Sequence, residues 1–385
     1  MEPLLLVAND LFHPHGHRIQ VLARYVEKVR RVRKVSLVPP GLTPKGEQAS
    51  RGGRLRGWGR QVAFDRRPLI WSVGTITAVR RFPLPGPMGP LLNRALLRRA
   101  LGSLPGSTLA LAQGPVAGTV CASSGMRFIY DHADNYREGR VGGSHRHLLG
   151  AWQARALRAA EAVSCAGTAL RSHAVDSGAR AVELHPNGVD NARFTLPRSE
   201  SLRPSLLYVG GLECDCGLDA VLRALPFLTP HASLSVGGDG PAMNLFRRLA
   251  DRLGVSRRVV WHGRVSAVST PQLLSTAWIG VATFPPTGWN QYAFHLKILE
   301  YMAAGLPFVT TPVGDGALLA SETGAGLVSQ SHPETLAACI ACLFDDADRR
   351  ASMSVAGRAA AARYDWDLIG PRFAQWVHAT LGGLS

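Results

Sequence analysis

Apolar residues recur along the chain in two alternating rhythms. Short runs rich in Val, Ile, Leu and aromatic residues, at 4–8, 35–38, 69–73, 109–112, 128–131 and 162–166, read as buried strands. Between them, segments 18–29, 91–101 and 147–160 repeat apolar residues every three to four positions and read as amphipathic helices. That alternation predicts a doubly wound α/β domain with a parallel sheet. Residues 196–204, rich in Pro, Ser and Arg, interrupt the rhythm and read as a linker. The rhythm resumes with strands at 206–209, 233–236, 259–262, 279–282, 308–311 and 327–329, and a last helix covers 366–381. The expected organisation is a first domain over 1–195, the linker, a second domain over 205–365, and a terminal helix in 366–385 that crosses back toward the first.

Segment 294–315 carries the most chemistry. A helix opening near His295 places Lys297 and Glu300 three residues apart on one face, with Leu296, Leu299 and Met302 expected toward a core. Gly305-Leu306-Pro307 ends it before the strand at 308–311. A cation and a carboxylate beside a helix N-terminus suit a ligand that carries both phosphate and vicinal hydroxyls, as nucleotide sugars do.

With 385 residues, 46% of them apolar, each half is long enough to bury its own core. No apolar run approaches the roughly 20 residues that span a bilayer, and the first residues lack a basic signal-peptide front. Six scattered cysteines fit a reducing compartment, so the expected location is cytoplasmic, peripheral on the inner face of the plasma membrane. Cys214 and Cys216 are too close for a usual zinc half-site, Cys339 and Cys342 lie at helix-core spacing, and His13, His15 and His17 alternate in a loop without fixed geometry. No metal is expected.

Charge is strongly one-sided: residues 1–200 hold 29 Lys and Arg against 13 Asp and Glu, and residues 201–385 hold 14 of each. Much of the excess lies between Lys28 and Arg67, including Arg51, Arg54, Arg56 and Arg60. One reading is an Arg-rich solvated loop; the other is a basic apron facing an anionic membrane or an acidic acceptor. Nucleic acid is not the expected partner, because aromatic interleaving and zinc spacing are missing.

Five stretches in order resemble the GT-B glycosyltransferases usually called family 4. They are His185-Pro186-Asn187-Gly188-Val189-Asp190, Tyr208-Val209-Gly210-Gly211, Gly237-Gly238-Asp239-Gly240-Pro241, His262-Gly263-Arg264-Val265, and Lys297 through Pro307. The resemblance implies two Rossmann-like doubly wound domains facing a cleft, with a nucleotide-sugar donor on the second domain and the acceptor on the first. It implies that Glu300 binds the ribose, that Lys297 lies near the phosphates, and that backbone of the 290–294 loop, including Tyr292 and Phe294, cradles the diphosphate without metal or other cofactor. Gly16, Gly210, Gly211, Gly238, Asp239 and Gly240 are implied as donor contacts, and Arg264 marks the base-binding main chain. His132 resembles a cleft histidine that contacts the transferred sugar, with Asp131 and Asp134 placed to orient it or to serve as acid or base.

Two departures stand out. Many members carry Arg and Lys near the diphosphate where this chain has Gly211 and Cys216, and Tyr292 replaces the first Glu of a Glu-x7-Glu pair. A branch with a Lys-x-x-Glu-Tyr signature shares the second departure. The leading expectation is a retaining, metal-independent transferase that moves a sugar to a hydroxyl of a lipid-linked or other anionic acceptor in envelope polysaccharide or glycoconjugate synthesis. The alternatives are a catalytically degenerate GT-B subunit that binds a glycan or partner, a small-molecule glycosyltransferase, an epimerase of the same fold, and a basic nucleic-acid-binding protein.

Overall fold

The computed structural model describes residues 3–9, 18–38, 70–73, 76–80, 87–103, 109–139 and 144–382. Gly16, His13, His15, His17 and Arg51, Arg54, Arg56 and Arg60 lie outside the described residues. Two compact units form: Met1–Pro186 with Ile369–Ser385, and Asn187–Leu368.

The first unit is built on an eight-stranded sheet. Its strands are β1 (Leu4–Asn9), β2 (Val32–Val38), β3 (Ile70–Val73), β4 (Ile76–Arg80), β5 (Leu109–Gln113), β6 (Arg127–His132), β7 (Ala162–Cys165) and β8 (Val182–Leu184), in the order β3-β4-β2-β1-β5-β6-β7-β8. All neighbours pair in parallel except β3 with β4. Leu4 to Ala8 are at most 2% exposed, which is why central β1 reads as an unbroken apolar run. The strand order reverses between β1 and β5, so the carboxyl ends of β1, β5 and β6 flank a topological switch point.

The second unit holds a six-stranded parallel sheet of β9 (Ser205–Val209), β10 (Ser233–Gly237), β11 (Val259–Gly263), β12 (Ile279–Ala282), β13 (Phe308–Thr310) and β14 (Gly326–Val328), ordered β11-β10-β9-β12-β13-β14. Its switch point lies between β9 and β12, next to the helix Leu296–Ala304. Gly305 at φ +66° ends that helix, and Arg358 caps it by donating to the Ala304 carbonyl at 2.9 Å.

Three expectations need correction. Residues 196–204 are not a free linker but are stitched to the second unit. Ser199 N–H donates to Ser275 O (2.9 Å), Ser201 N–H to Thr276 O (3.0 Å), and Arg350 forks onto Glu200 at 3.2 and 2.9 Å. The boundary falls instead after Pro186, inside the His185–Asp190 motif, and the terminal helix Trp366–Gly382 groups with the first unit only from Ile369 onward. Leu296 is 49% exposed and is not a core residue. At about 100° per residue it lies some 200° around the helix from Ile298, on the outward arc with Lys297 and Glu300. Finally, β3 is the edge strand and pairs antiparallel with β4, a strand absent from the expected set.

Among the described residues, no helix is long and apolar enough to cross a membrane.

Candidate functional site

In the second unit the motif glycines form one wall at the strand ends. Gly210 N–H donates to Gly237 O (2.9 Å), Gly238 N–H to Gly263 O (2.7 Å) and Leu212 N–H to Asp239 O (3.2 Å), joining the turns after β9, β10 and β11. A Cβ on Gly238 would sit 1.9 Å from Gly210 O, and one on Gly240 would sit 2.5 Å from Leu212 O, so the turns close only with glycine. These amides were expected to meet a donor. The structure spends those of Gly210 and Gly238 on the neighbouring turns and that of Gly240 on the Asp239 carboxylate (2.8 Å), so the three glycines shape the wall and Asp239 caps its own loop. Gly211 and Arg264 are exposed, and a side chain at 211 would meet nothing within 4 Å.

Lys297 reaches this wall from the helix. Its Nζ lies 3.8 Å from the Tyr208 ring centroid and 5.1 Å from that of Phe284, and 2.9 Å from where a Gly210 Cβ would stand. Two aromatic faces thus hold the ammonium at the end of β9. Glu300, one turn on, is half-buried. Burial lifts its carboxyl above the ordinary range, opposed by the charges of Arg193 and Lys297. Tyr301 fixes the register of both: its hydroxyl accepts from Val209 N–H (3.2 Å) and has the carbonyls of Val281 (3.2 Å) and Leu207 (3.3 Å) within reach of its one proton. The helix is therefore bolted to β9 and β12 at the switch point.

The loop before the helix is equally built. Asn290 is fully buried and donates to the Asp215 carbonyl (3.1 Å), Trp289 Nε1 donates to the Asp215 carboxylate (2.7 Å), and the Tyr292 amide closes the turn on Trp289 O (2.9 Å). His295 stacks on Phe284 with centroids 3.4 Å apart, and Asn187 Nδ2 donates to the Phe294 carbonyl at 3.2 Å. Trp289, Asp215 and His295 were not singled out from the sequence. Asn290 and His295 lay in flagged segments, but no local spacing marks a contact spanning 75 residues.

The first unit revises the expected catalytic trio. Asp131 is 1% exposed, and both its oxygens accept from Arg18 Nε, at 3.1 and 3.3 Å, while Gln113 Nε2 donates to Oδ2 at 2.8 Å. A carboxylate so paired is an anchor and not a free acid or base. His132 is fully buried, with Nε2 3.0 Å from His173 Nδ1 and Nδ1 3.4 Å from Gln153 Nε2. Burial, then the neighbouring His173, pushes its pKa down to about 3, too low for a base at neutral pH. Asp134 is exposed, and its backbone carbonyl accepts from Gln153 Nε2 at 2.8 Å. Gln153 thus organises the strand end, bridging residues that the sequence sets 19 and 21 positions apart.

Residues 203–346 match the family model described as Glycosyl transferases group 1. The chain is 26% identical over 97% of its length to a protein of Mycolicibacterium smegmatis named GDP-mannose-dependent alpha-(1-6)-phosphatidylinositol monomannoside mannosyltransferase, which it covers to 97%. Residues 203–346 thus resemble the group 1 glycosyltransferases. The chain is also 29% identical to the glycogen synthase of Mycobacterium tuberculosis, over 49% of this chain and 46% of that one. Sucrose-phosphate synthase from Thermosynechococcus elongatus superposes with a TM-score of 0.77 at 15% identity, covering 99% of this chain and 100% of the other. Anabaena HepE in complex with UDP-glucose superposes at 0.70 with 18% identity, over 99% and 100%. The structural likenesses show the GT-B fold, two parallel-sheet Rossmann-like domains.

Proposed function

We propose that this glycosyltransferase moves a hexose, with mannose from GDP-mannose as the first candidate, to a hydroxyl of a phosphoinositide-type glycolipid acceptor. The observation that carries the reading is the match along 97% of both chains to a mannosyltransferase whose name specifies that donor and a phosphatidylinositol mannoside acceptor. In this reading Glu300 accepts hydrogen bonds from both ribose hydroxyls, and Lys297 supplies the positive charge that many members take from residues near the first strand of this domain. The aromatic seat of Lys297 beside Gly210 supports that substitution, because it delivers an ammonium to the same turn from another element. Asp131 is held by Arg18 and both ring nitrogens of His132 are engaged, so the proton of the acceptor hydroxyl passes to the leaving phosphate as the new glycosidic bond forms. That route favours retention of configuration and needs no metal. The enzyme acts as a cytoplasmic protein at an anionic membrane face, consistent with its one-sided charge.

Thermal shift with GDP-mannose, UDP-glucose and dTDP-glucose tests the donor assignment. Saturating GDP-mannose, at about a hundred times its dissociation constant, is expected to stabilise the protein by about 2.7 kcal/mol, and Glu300→Gln to abolish most of that shift. Gly211→Arg enters open space and restores a charge at the diphosphate, so donor affinity should rise on the order of tenfold. A shift with UDP-glucose alone would replace the donor, and no shift with any of the three would refute the reading.

A further inference from the structure

The segment Asn191–Phe194 is a single 3₁₀ turn packed beside the helix that carries Lys297 and Glu300. Phe194 is buried in one apolar cluster with Ile298, Leu299 and Met302, and Arg358 donates both to the Phe194 carbonyl (3.3 Å) and to the Ala304 carbonyl at the helix end (2.9 Å). Core packing and a shared guanidinium thus fix the turn against the helix. From the turn, half-buried Arg193 passes over the Phe194 ring at 5.2 Å and donates through Nη2 to the Ala267 carbonyl at 2.9 Å. Ala267 lies in the exposed loop that follows β11. Two cations therefore flank Glu300. Lys297, one turn before it, ends at the turn after β9, while Arg193 ends at the loop after β11. Both charges act on the Glu300 carboxyl, that of Arg193 more strongly. The bond to Ala267 uses a single N–H, and among the described residues the other donors of the guanidinium meet no acceptor.

We infer that Arg193 reads the base of the donor nucleotide, its guanidinium forking onto the O6 and N7 acceptors of guanine. With ribose hydroxyls on Glu300 and phosphate at Lys297, the base continues on the far side of the ribose, toward the loop that Arg193 reaches. The ends of β9 and β11 lie two strand spacings apart, about 10 Å, with β10 between them, which suits the reach from a diphosphate across one ribose to its base. A guanidinium presents parallel N–H groups in a planar fork. Guanine accepts two of them at once through O6 and N7, whereas adenine turns an amino group to the same place and uracil offers O4 alone on that edge. Lys297 is a point charge in an aromatic seat, fit for phosphate and unable to make that distinction. Its bond to Ala267 holds the Arg193 fork in place before any ligand arrives, so less side-chain freedom is lost on binding. The assignment rests on the nucleotide-sugar reading of the same site and adds to it the residue that selects the base.

Titration calorimetry of the full chain with GDP, inosine diphosphate, ADP and UDP tests it. The wild type is expected to bind GDP and inosine diphosphate alike, because inosine keeps O6 and N7 and lacks only the 2-amino group, and to bind ADP and UDP more weakly, on the order of tenfold or more. Arg193→Lys keeps the charge beside Glu300 and removes the fork, so GDP affinity should fall on the order of tenfold while UDP affinity holds its wild-type value. Arg193→Gln removes the charge as well and should weaken all four, GDP the most. Both variants should keep the wild-type melting temperature, since Arg193 lies outside the apolar cluster. GDP affinity unchanged in Arg193→Lys would overturn the inference. Equal losses for GDP and UDP in that variant would also overturn it, because they would mark Arg193 as support for the loop or for Glu300 alone. Tight GDP with weak inosine diphosphate would place recognition at the 2-amino group and overturn it too. Binding of none of the four would refute the transferase reading itself, and this assignment with it.

Discussion

Replacing Arg18 by methionine is expected to destabilise the first unit by about 3–5 kcal/mol, the usual consequence of leaving a buried charge without its partner. Arg18 and Asp131 side chains are 6% and 0% exposed. Besides Asp131, the guanidinium donates to Pro186 O at 2.9 Å and to Ser164 Oγ at 3.0 Å, so one side chain on the first helix ties together β6, β7 and the segment after β8. In the variant Asp131 would keep, among the described residues, Gln113 as its side-chain donor. The double change Arg18→Met with Asp131→Leu removes both charges and should cost clearly less than the two single changes added together. Two units need not unfold as one, so amide exchange in β6 and β7 is the appropriate measure. Unchanged protection in Arg18→Met would show that the pair is not an anchor. The same series separates two roles for Asp131: an anchor loses stability on substitution by asparagine, whereas an acid or base loses turnover with stability intact.

The second large effect is acid sensitivity. His132 is pushed down to about 3 by burial and then by His173, and His185 to about 4 by burial and then by Arg18. Both are neutral in the folded chain across a range in which a histidine of ordinary pKa 6.5 takes up a proton on unfolding. Their contribution is complete above that ordinary value and is lost as pH falls through 6.5 toward 4 and 3. Each such group costs about 1.4 kcal/mol per pH unit, hence on the order of 2 kcal/mol each by pH 5. Urea midpoints of the first unit should be flat above neutrality and fall below pH 6.5, and His132→Gln should shallow the fall by about one proton. Equal midpoints at pH 7 and pH 5 would contradict this account of the two buried rings.

What was legible in the chain follows from how local each signal is. The sheets announced themselves because a parallel strand covered on both faces must be continuously apolar, as in Leu4 to Ala8 and Leu206 to Tyr208. The glycine turns were legible as places where backbones meet, and the contact of Gly238 with Gly210 is that meeting. Which amides remain for a ligand was not legible, since it depends on hydrogen bonds between turns of different strands. Lys297 and Glu300 were correctly set on one outward face, but Leu296 was turned inward because the first turn of a helix offers too few apolar neighbours to fix its phase. Asp131 and His132 were flagged for their place at a strand end, and their roles shifted once partners 113 and 41 residues away came into view. Residues 196–204 misled because proline and serine report a lack of regular structure, and a segment can lack regular structure while Ser199, Ser201 and Arg198 bond to the unit beside it.

Transfer of a sugar from a nucleotide donor to a lipid acceptor is the reaction proposed for this protein. Purified protein incubated with GDP-mannose and phosphatidylinositol monomannoside in mixed vesicles, with the lipid read by mass spectrometry, tests it directly. The expected product is a lipid heavier by one hexose, formed by the wild type and reduced on the order of ten- to a hundredfold in Glu300→Gln, as follows from loss of a charge-assisted bond to the ribose. Lipid of unchanged mass with every GDP-, UDP- and dTDP-sugar supplied would contradict it.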